Sequence, residues 1–177
     1  ALDPNNGDVI ALASYPDYDL NMFANGIEAK EWKSVQPENP RDCLSPAPLF
    51  NNATRASVAP GSTFKIVTAV AGLECGLNPD MVINDRGYVK LGDKTFGCVL
   101  WNFYNSTHGN ENMAKAIGTS CNYYFYCVAS NKNWGSGGSM GESSEMGIQK
   151  ILDVAERFGL GRKTGIEIGE TVNPVPS

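Results

Sequence analysis

The sequence predicts an α+β chain, and three features carry that expectation. An Asn-Gly turn signal sits between short apolar runs at residues 1–14. An almost all-apolar helix opens after a Pro-Gly break at residues 60–61. Shorter helical stretches then run between residues 111 and 158, preceded by strand-and-turn segments at 81–107.

Asn5-Asn6-Gly7-Asp8 is a hairpin turn signal, and Val9-Ile10-Ala11-Leu12-Ala13 reads as the strand that leaves it. Tyr15 to Phe50 keeps no period and carries prolines at 16, 37, 40, 46 and 48, so it reads as an irregular surface excursion. Arg41, Asp42, Asn51 and Asn52, within and just after it, read as solvated loop residues. From Ser62 to Cys75, Phe64, Ile66, Val67, Val70, Ala71 and Leu73 cover nearly the whole circumference of a helix, which predicts burial in the middle of a domain. Gly76 reads as its C-terminal cap, and Asn78-Pro79 bars continuation.

Short strands and turns are expected around Asp85-Arg86-Gly87 and Leu91-Gly92-Asp93. Residues 111–118 read as a short helix on Met113, Ala114, Ala116 and Ile117. Gly118-Thr119-Ser120 interrupts it, and a second helix runs through Tyr123, Tyr124, Phe125, Cys127, Val128 and Ala129. Residues 130–147, rich in Ser, Gly and Asn, read as a flexible surface loop. Ile148 to Phe158 returns to helical spacing, with Ile148, Ile151, Leu152, Ala155 and Phe158 on one face, and Gly159-Leu160-Gly161 ends it.

Composition narrows the function classes. A hydrophobic content of 42% over 177 residues suits one folded domain with its own core. The net charge is -5 and no basic stripe or tail appears, so nucleic acid is not an expected partner. No apolar run approaches the roughly 20 residues of a membrane span. Both ends read as cuts through a longer protein. Cys43, Cys75, Cys98, Cys121 and Cys127 have irregular spacing with no C-x-x-C pair, which favours buried free thiols over a zinc ribbon or a redox motif. The alternative is a metal site built from Cys98, His108 and another Cys or Asp.

The chemistry concentrates at Pro60-Gly61-Ser62-Thr63-Phe64-Lys65. Ser62 stands where a glycine turn meets the first helical turn, so its backbone N–H lacks an intrahelical acceptor and can face an oxyanion. Lys65, three residues on, shares that helix face. A serine hydroxyl needs a base, and a lysine serves once burial lowers its pKa toward neutrality. The bland alternative is a helix-capping serine and an exposed lysine. Ser120-Cys121-Asn122 is a second element: its serine can pass a proton, and its asparagine amide can hold a substrate carbonyl. A helix N-cap is the ordinary explanation of such a triplet. His108, the sole histidine, reads as structural, because Ser62 has no G-x-S-x-G elbow and already has Lys65.

S-x-x-K followed by an S-x-N triplet is a signature of penicillin-recognising serine enzymes. The chain resembles a class B penicillin-binding protein along nearly its full length. The opening Ala1 to Pro16 is similar to that family's first sheet hairpin, and Asn51 to Lys65 to the approach to its nucleophile. His108-Gly109 and Ser120 to Tyr124 resemble its second motif, and Phe158 to Glu170 the turn after the next helix.

The resemblance implies a β-lactamase/transpeptidase-like fold, an antiparallel sheet flanked by helices. Residues 1–177 would form the N-terminal part of a transpeptidase domain whose C-terminal strands are missing. It implies a serine D,D-transpeptidase that cross-links peptidoglycan stem peptides ending in D-Ala-D-Ala and is acylated by β-lactams. Ser62, Lys65 and Ser120 would be catalytic and Asn122 substrate-binding, with no metal or cofactor in the reaction. The parent would sit at the bacterial membrane through a missing N-terminal anchor, catalytic domain outside, with divisome or elongasome partners. A class D-like β-lactamase or β-lactam sensor also resembles Ser62 to Ile66, and a non-catalytic binding module is the alternative of another class. Lys163-Thr164-Gly165 spells the family's third motif, but it follows a helix-ending glycine turn and precedes Ile166, so a structural turn is expected there. The genuine third motif is then expected outside the chain.

Overall fold

The computed structural model describes residues 1–42, 45–141 and 143–172; the expected free thiol of Cys43 lies outside them. The chain forms two compact units, one made of Ala1–Val58 with Lys163–Val172, the other of Ala59–Arg162.

In the first unit the Asn-Gly turn forms as expected, with Gly7 at φ +82° and the Asp3 N–H donating to the Asp8 carbonyl at 2.9 Å. The strand expected over residues 9–13 does not form. Among the described residues a single antiparallel bridge, Leu2 with Val9, stands in its place: no further strand lies beside this run and its Ile10 stays exposed. The long excursion is not wholly irregular. It contains a 3-10 turn, Leu20–Phe23, and helix α1, Ala29–Ser34, whose entry is closed by the Glu28 N–H donating to Glu31 Oε2 at 3.1 Å. Asn51 and Asn52 are structural rather than merely solvated. Asn51 Oδ1 caps helix α2, Asn52–Arg55, by accepting from the Ala53 N–H, and the Asn52 N–H donates to Ser14 Oγ at 2.8 Å. At the other end of the unit, the Thr164 N–H and hydroxyl both donate to the Glu170 carboxylate at 3.0 Å. The described residues 163–165 form no strand; they are irregular backbone with Gly165 at φ +87°.

The second unit is built on the helix after Pro60. It opens as a 3-10 turn, Gly61–Phe64, and continues as α3, Lys65–Glu74. Burial is one-sided rather than all-round: Val67, Thr68, Ala69, Ala71 and Gly72 are buried, while Ile66 and Leu73 are each 43% exposed. The small residues on the buried stripe let the helices Asn122–Ala129 and Ile148–Arg157 approach closely. Gly76, at φ +94°, ends α3 as expected. The Gly76 N–H reaches the Leu73 carbonyl at 3.0 Å and the Leu77 N–H the Gly72 carbonyl at 2.9 Å, the paired bonds of a left-handed cap.

Strand β1, Ile83–Asn84, pairs antiparallel with β4, Asn110–Glu111; β2, Tyr88–Leu91, pairs antiparallel with β3, Lys94–Gly97, around a Gly92-Asp93 turn. These two small sheets are the strand content of the described residues in this unit, apart from a lone bridge between Lys132 and Ser139. Between β3 and β4 lies α4, Val99–Tyr104, which sequence reading missed. Its run of aromatic and aliphatic residues has no helical stripe because no residue of it is buried. Helices α5, Met113–Gly118, and α6, Asn122–Ala129, fall as expected, with Tyr123, Tyr124, Phe125, Cys127 and Val128 in the core. The described residues of the 130–147 stretch form a loop that places Met140 and Met146 in the core and ties the Ser143 N–H to the Cys75 carbonyl at 2.8 Å. In α7, Ile148–Arg157, the buried stripe is Ile151, Val154 and Ala155. Of the expected face, Ile151 and Ala155 are buried as expected, while Ile148 is 72% and Phe158 54% exposed at the helix ends.

Candidate active site

Ser62 sits in the 3-10 turn, on a backbone set up by Gly61 at φ +57°. Its neighbour Thr63 ties the turn back by donating from Oγ1 to the Pro60 carbonyl at 2.6 Å. Lys65 is the first residue of α3 and half-buried. Its Nζ donates to the Ser120 carbonyl at 2.6 Å and to Ser120 Oγ at 2.8 Å, with the Phe125 ring centroid 5.8 Å away. Burial lowers the pKa of Lys65 below the ordinary lysine value, and the nearby Cys98 and Cys121 oppose that without cancelling it.

Ser120 lies at the elbow between α5 and α6 with φ +55°, a left-handed backbone that a residue with a Cβ adopts only under local constraint. The constraint is visible. The Cys121 N–H closes on the Ala116 carbonyl at 2.9 Å, and Thr119 Oγ1 donates to Glu111 Oε2 at 3.1 Å. Glu111 is only 1% exposed and also pairs with Lys115 at 3.2 Å. From this elbow the Ser120 hydroxyl donates to Ser62 Oγ at 2.9 Å. Sequence reasoning expected Lys65 to reach Ser62 directly; the hydrogen bonds instead run from Lys65 through Ser120 to Ser62. Asn122, at the start of α6, holds its amide 3.4 Å from the Gly97 carbonyl. Ser62, Lys65, Asn122, Phe64, Phe125 and Tyr126 line one hollow of about 380 Å³, so all four expected site residues come together in one unit. A larger hollow of about 840 Å³ in the first unit lacks such a relay; its Glu170 is engaged by Thr164.

A second cluster lies directly behind this elbow. One donor atom each from Asp85, Cys98, His108 and Cys121 fall within 4.8 Å of one another. His108 Nδ1 is 2.9 Å from Asp85 Oδ2 and 3.4 Å from Cys98 Sγ, and the two sulfurs are 4.0 Å apart. Burial pushes the Asp85 carboxyl up, but bonds from the His108 and Gly87 N–H groups outweigh it and leave its pKa lowered. The Cys121 thiol, with N–H groups of Tyr123 and Asn122, pulls Cys98 down to about 5, and Cys121 itself is pushed up by its bond to Cys98 and by burial. Two sulfurs, an imidazole and a carboxylate are a donor set that suits tetrahedral zinc. His108 takes no part in the Lys65–Ser120–Ser62 hydrogen bonds; its backbone N–H and Nδ1 both lie against Asp85 Oδ2. Sequence reading had paired Cys98 and His108 as metal candidates, but no spacing rule identified Asp85 and Cys121 as their neighbours.

Comparison with known proteins follows the same lines. The family described as penicillin binding protein transpeptidase domain matches residues 1–176, and the chain belongs to that family. Among curated relatives, the peptidoglycan D,D-transpeptidase MrdA of Acinetobacter baumannii is 34% identical over 169 residues, 95% of this chain and 22% of that protein. MrdA of Haemophilus influenzae is 35% identical over 170 residues, covering 96% and 23%. The chain thus spans about a quarter of the length of these relatives. Penicillin-binding protein 2 of Helicobacter pylori superposes with a TM-score of 0.77 at 28% identity, over 99% of this chain and 29% of that one. The Pseudomonas aeruginosa protein, solved in complex with WCK 5153, gives 0.75 at 32% identity, covering 99% and 36%. The expected β-lactamase/transpeptidase-like α+β fold is the fold of these neighbours.

Proposed function

We propose that this chain carries the nucleophile of a serine D,D-transpeptidase, and the observation that carries the reading is the Lys65–Ser120–Ser62 hydrogen-bonded relay at the mouth of a hollow. In the reacting state Lys65 is neutral, which its lowered pKa favours. Ser62 passes its proton to Ser120 Oγ as Ser120 passes its own to Lys65 Nζ. Ser62 Oγ attacks the carbonyl of the penultimate D-Ala of a stem peptide, and the Ser62 N–H at the first helical turn faces the oxyanion. The C–N bond breaks, and the proton returns through Ser120 to the departing D-Ala amine. An acceptor amine from a second strand then gives up a proton to the same relay and takes the acyl group. A β-lactam enters by the same attack, its ring nitrogen taking the proton while the acyl group stays on Ser62. Asn122, beside the hollow, holds the substrate amide.

The names of the relatives support this reading, as does the P. aeruginosa complex. A complex of penicillin-binding protein 2 with MreC in H. pylori favours an elongation-type assembly as the setting, at the outer face of the cell membrane. Incubation of the full-length protein with a D-Ala-D-Ala stem peptide and an amine acceptor tests the reading. Release of D-Ala with formation of the acyl–amine product is expected, and Ser62→Ala abolishes both. Product formation that survives Ser62→Ala overturns it.

A further inference from the structure

The Lys65–Ser120–Ser62 contacts depend on the direction in which one residue faces. Lys65 Nζ meets Ser120 twice, at its carbonyl and at its Oγ, and both groups face it from a backbone at φ +55°. A residue with a Cβ holds that conformation only while its neighbours are fixed. Thr119, the residue before it, is fixed by a buried charge. Glu111 stands on β4 opposite Ile83 of β1, is 1% exposed, and serves no step of the acyl transfer. Its Oε2 accepts the Thr119 hydroxyl at 3.1 Å. Its Oε1 lies 3.2 Å from Lys115 Nζ, which is itself anchored by donating to the Asn110 carbonyl at 2.7 Å. The Thr119 hydroxyl also lies 3.0 Å from the Lys115 carbonyl, so it is held between α5 and the carboxylate. Burying a carboxylate carries a desolvation cost that an apolar residue of similar size avoids. What this one holds is the entry to Ser120.

We propose that Glu111 is a positioning residue for acyl transfer, acting through the Thr119 hydroxyl to hold Ser120 in the orientation that lets Lys65 and Ser62 share its Oγ. The inference rests on the transpeptidase reading of Ser62. A bond to an ionised acceptor is stronger than one between neutral groups, so the carboxylate restrains Thr119 more firmly than the Lys115 carbonyl does. Without it, the peptide between Thr119 and Ser120 is free to turn. Ser120 Oγ then leaves the line between Lys65 Nζ and Ser62 Oγ for part of the time, and the proton path is broken in those molecules. Glu111 is not among the residues that line the hollow around Ser62. Its loss therefore slows the chemical step and leaves binding intact.

The test follows acylation of the full-length protein by a labelled penicillin at rising concentration. The first-order acylation constant at saturation and the dissociation constant of the noncovalent complex are then read separately. The first-order constant belongs to each folded molecule, so a variant that merely loses stability shows a smaller amplitude and an unchanged constant. Thr119 is exposed, and valine matches its volume without the hydroxyl. Thr119→Val and Glu111→Leu are expected to lower the first-order constant at least about tenfold, with noncovalent binding within about twofold, the pattern of a small misplacement. Thr119→Ser and Glu111→Gln, which keep the hydroxyl and an acceptor, are expected to restore most of the rate. A wild-type constant in Thr119→Val overturns the proposal, as does a loss that Thr119→Ser fails to restore. Weaker binding with an unchanged constant overturns it too. If Glu111→Leu does not fold, the two Thr119 variants decide alone. A wild-type protein that takes no label overturns the transpeptidase reading and this proposal together, whereas a labelled wild type beside an unaffected Thr119→Val overturns the proposal only.

Discussion

Ser120 Oγ bonds to both Ser62 Oγ and Lys65 Nζ, so each of the three side chains has a separable consequence. Removing the base should slow acylation most: Lys65→Ala is expected to lose about 100-fold to 10,000-fold, the range for a positioned general base. The pH dependence has a definite sign. Below its folded pKa Lys65 is protonated and cannot take the Ser62 proton, so the rate is low in acid and rises with pH. Because burial lowers that pKa, the rise should reach its plateau before pH 10.5, the ordinary lysine value. A stopped-flow pH profile checks this, and a rate that falls with rising pH from pH 6 to 9 contradicts it. Lys163 offers the opposite case. It is exposed, next to a Thr164 that bonds to Glu170, so Lys163→Ala should leave acylation within about twofold, as surface changes usually stay within ±0.5 kcal/mol.

At the scale of the element, the α5–α6 elbow holds Ser120 in a left-handed conformation through buried Glu111, which accepts from Thr119. Glu111→Leu removes the carboxylate that Thr119 and Lys115 bond to, and the loss of those bonds to a charged group is expected to cost about 1–3 kcal/mol. Thermal melts of the full-length protein would read it, and Glu111→Gln, which can still accept from Thr119, should recover much of the loss. Gly76→Ala is a second test of local structure. Its φ of +94° should make alanine cost about 1–2 kcal/mol. The cap at Gly76 and the break at Ser120 were legible because glycine after an apolar run and Gly-Thr-Ser between two runs are local signals. Helix α4 was not legible, since none of its residues is buried and burial is what writes a helical stripe into a sequence. The ends of the α7 stripe were misread for a related reason: periodicity cannot tell where a neighbouring helix stops covering it.

For the molecule as a whole, S-x-x-K and S-x-N were readable in order, but their joining was not. Ser62 and Ser120 are far apart in the chain, and only packing of α3 against α6 brings their hydroxyls together. The ends of β1 and β3, the approach to β4 and the start of α6 gather Asp85, Cys98, His108 and Cys121, residues with no spacing that local rules recognise. Large apolar side chains remain on the surface: Leu2, Ile10, Tyr15 and Leu20 in the first unit, Ile66 and Leu73 in the second. Residues 1–177 expressed alone are therefore expected to self-associate, seen as early elution and light scattering. A monomer with one cooperative unfolding transition would contradict that.

The central claim is that Ser62 is the acylated residue, and peptide mapping after reaction of the full-length protein with a labelled penicillin tests it most directly. The account predicts one adduct, on the peptide that contains Ser62, lost in Ser62→Ala and strongly slowed in Lys65→Ala and Ser120→Ala. An adduct on any other residue, or an undiminished yield in Ser62→Ala, would contradict it.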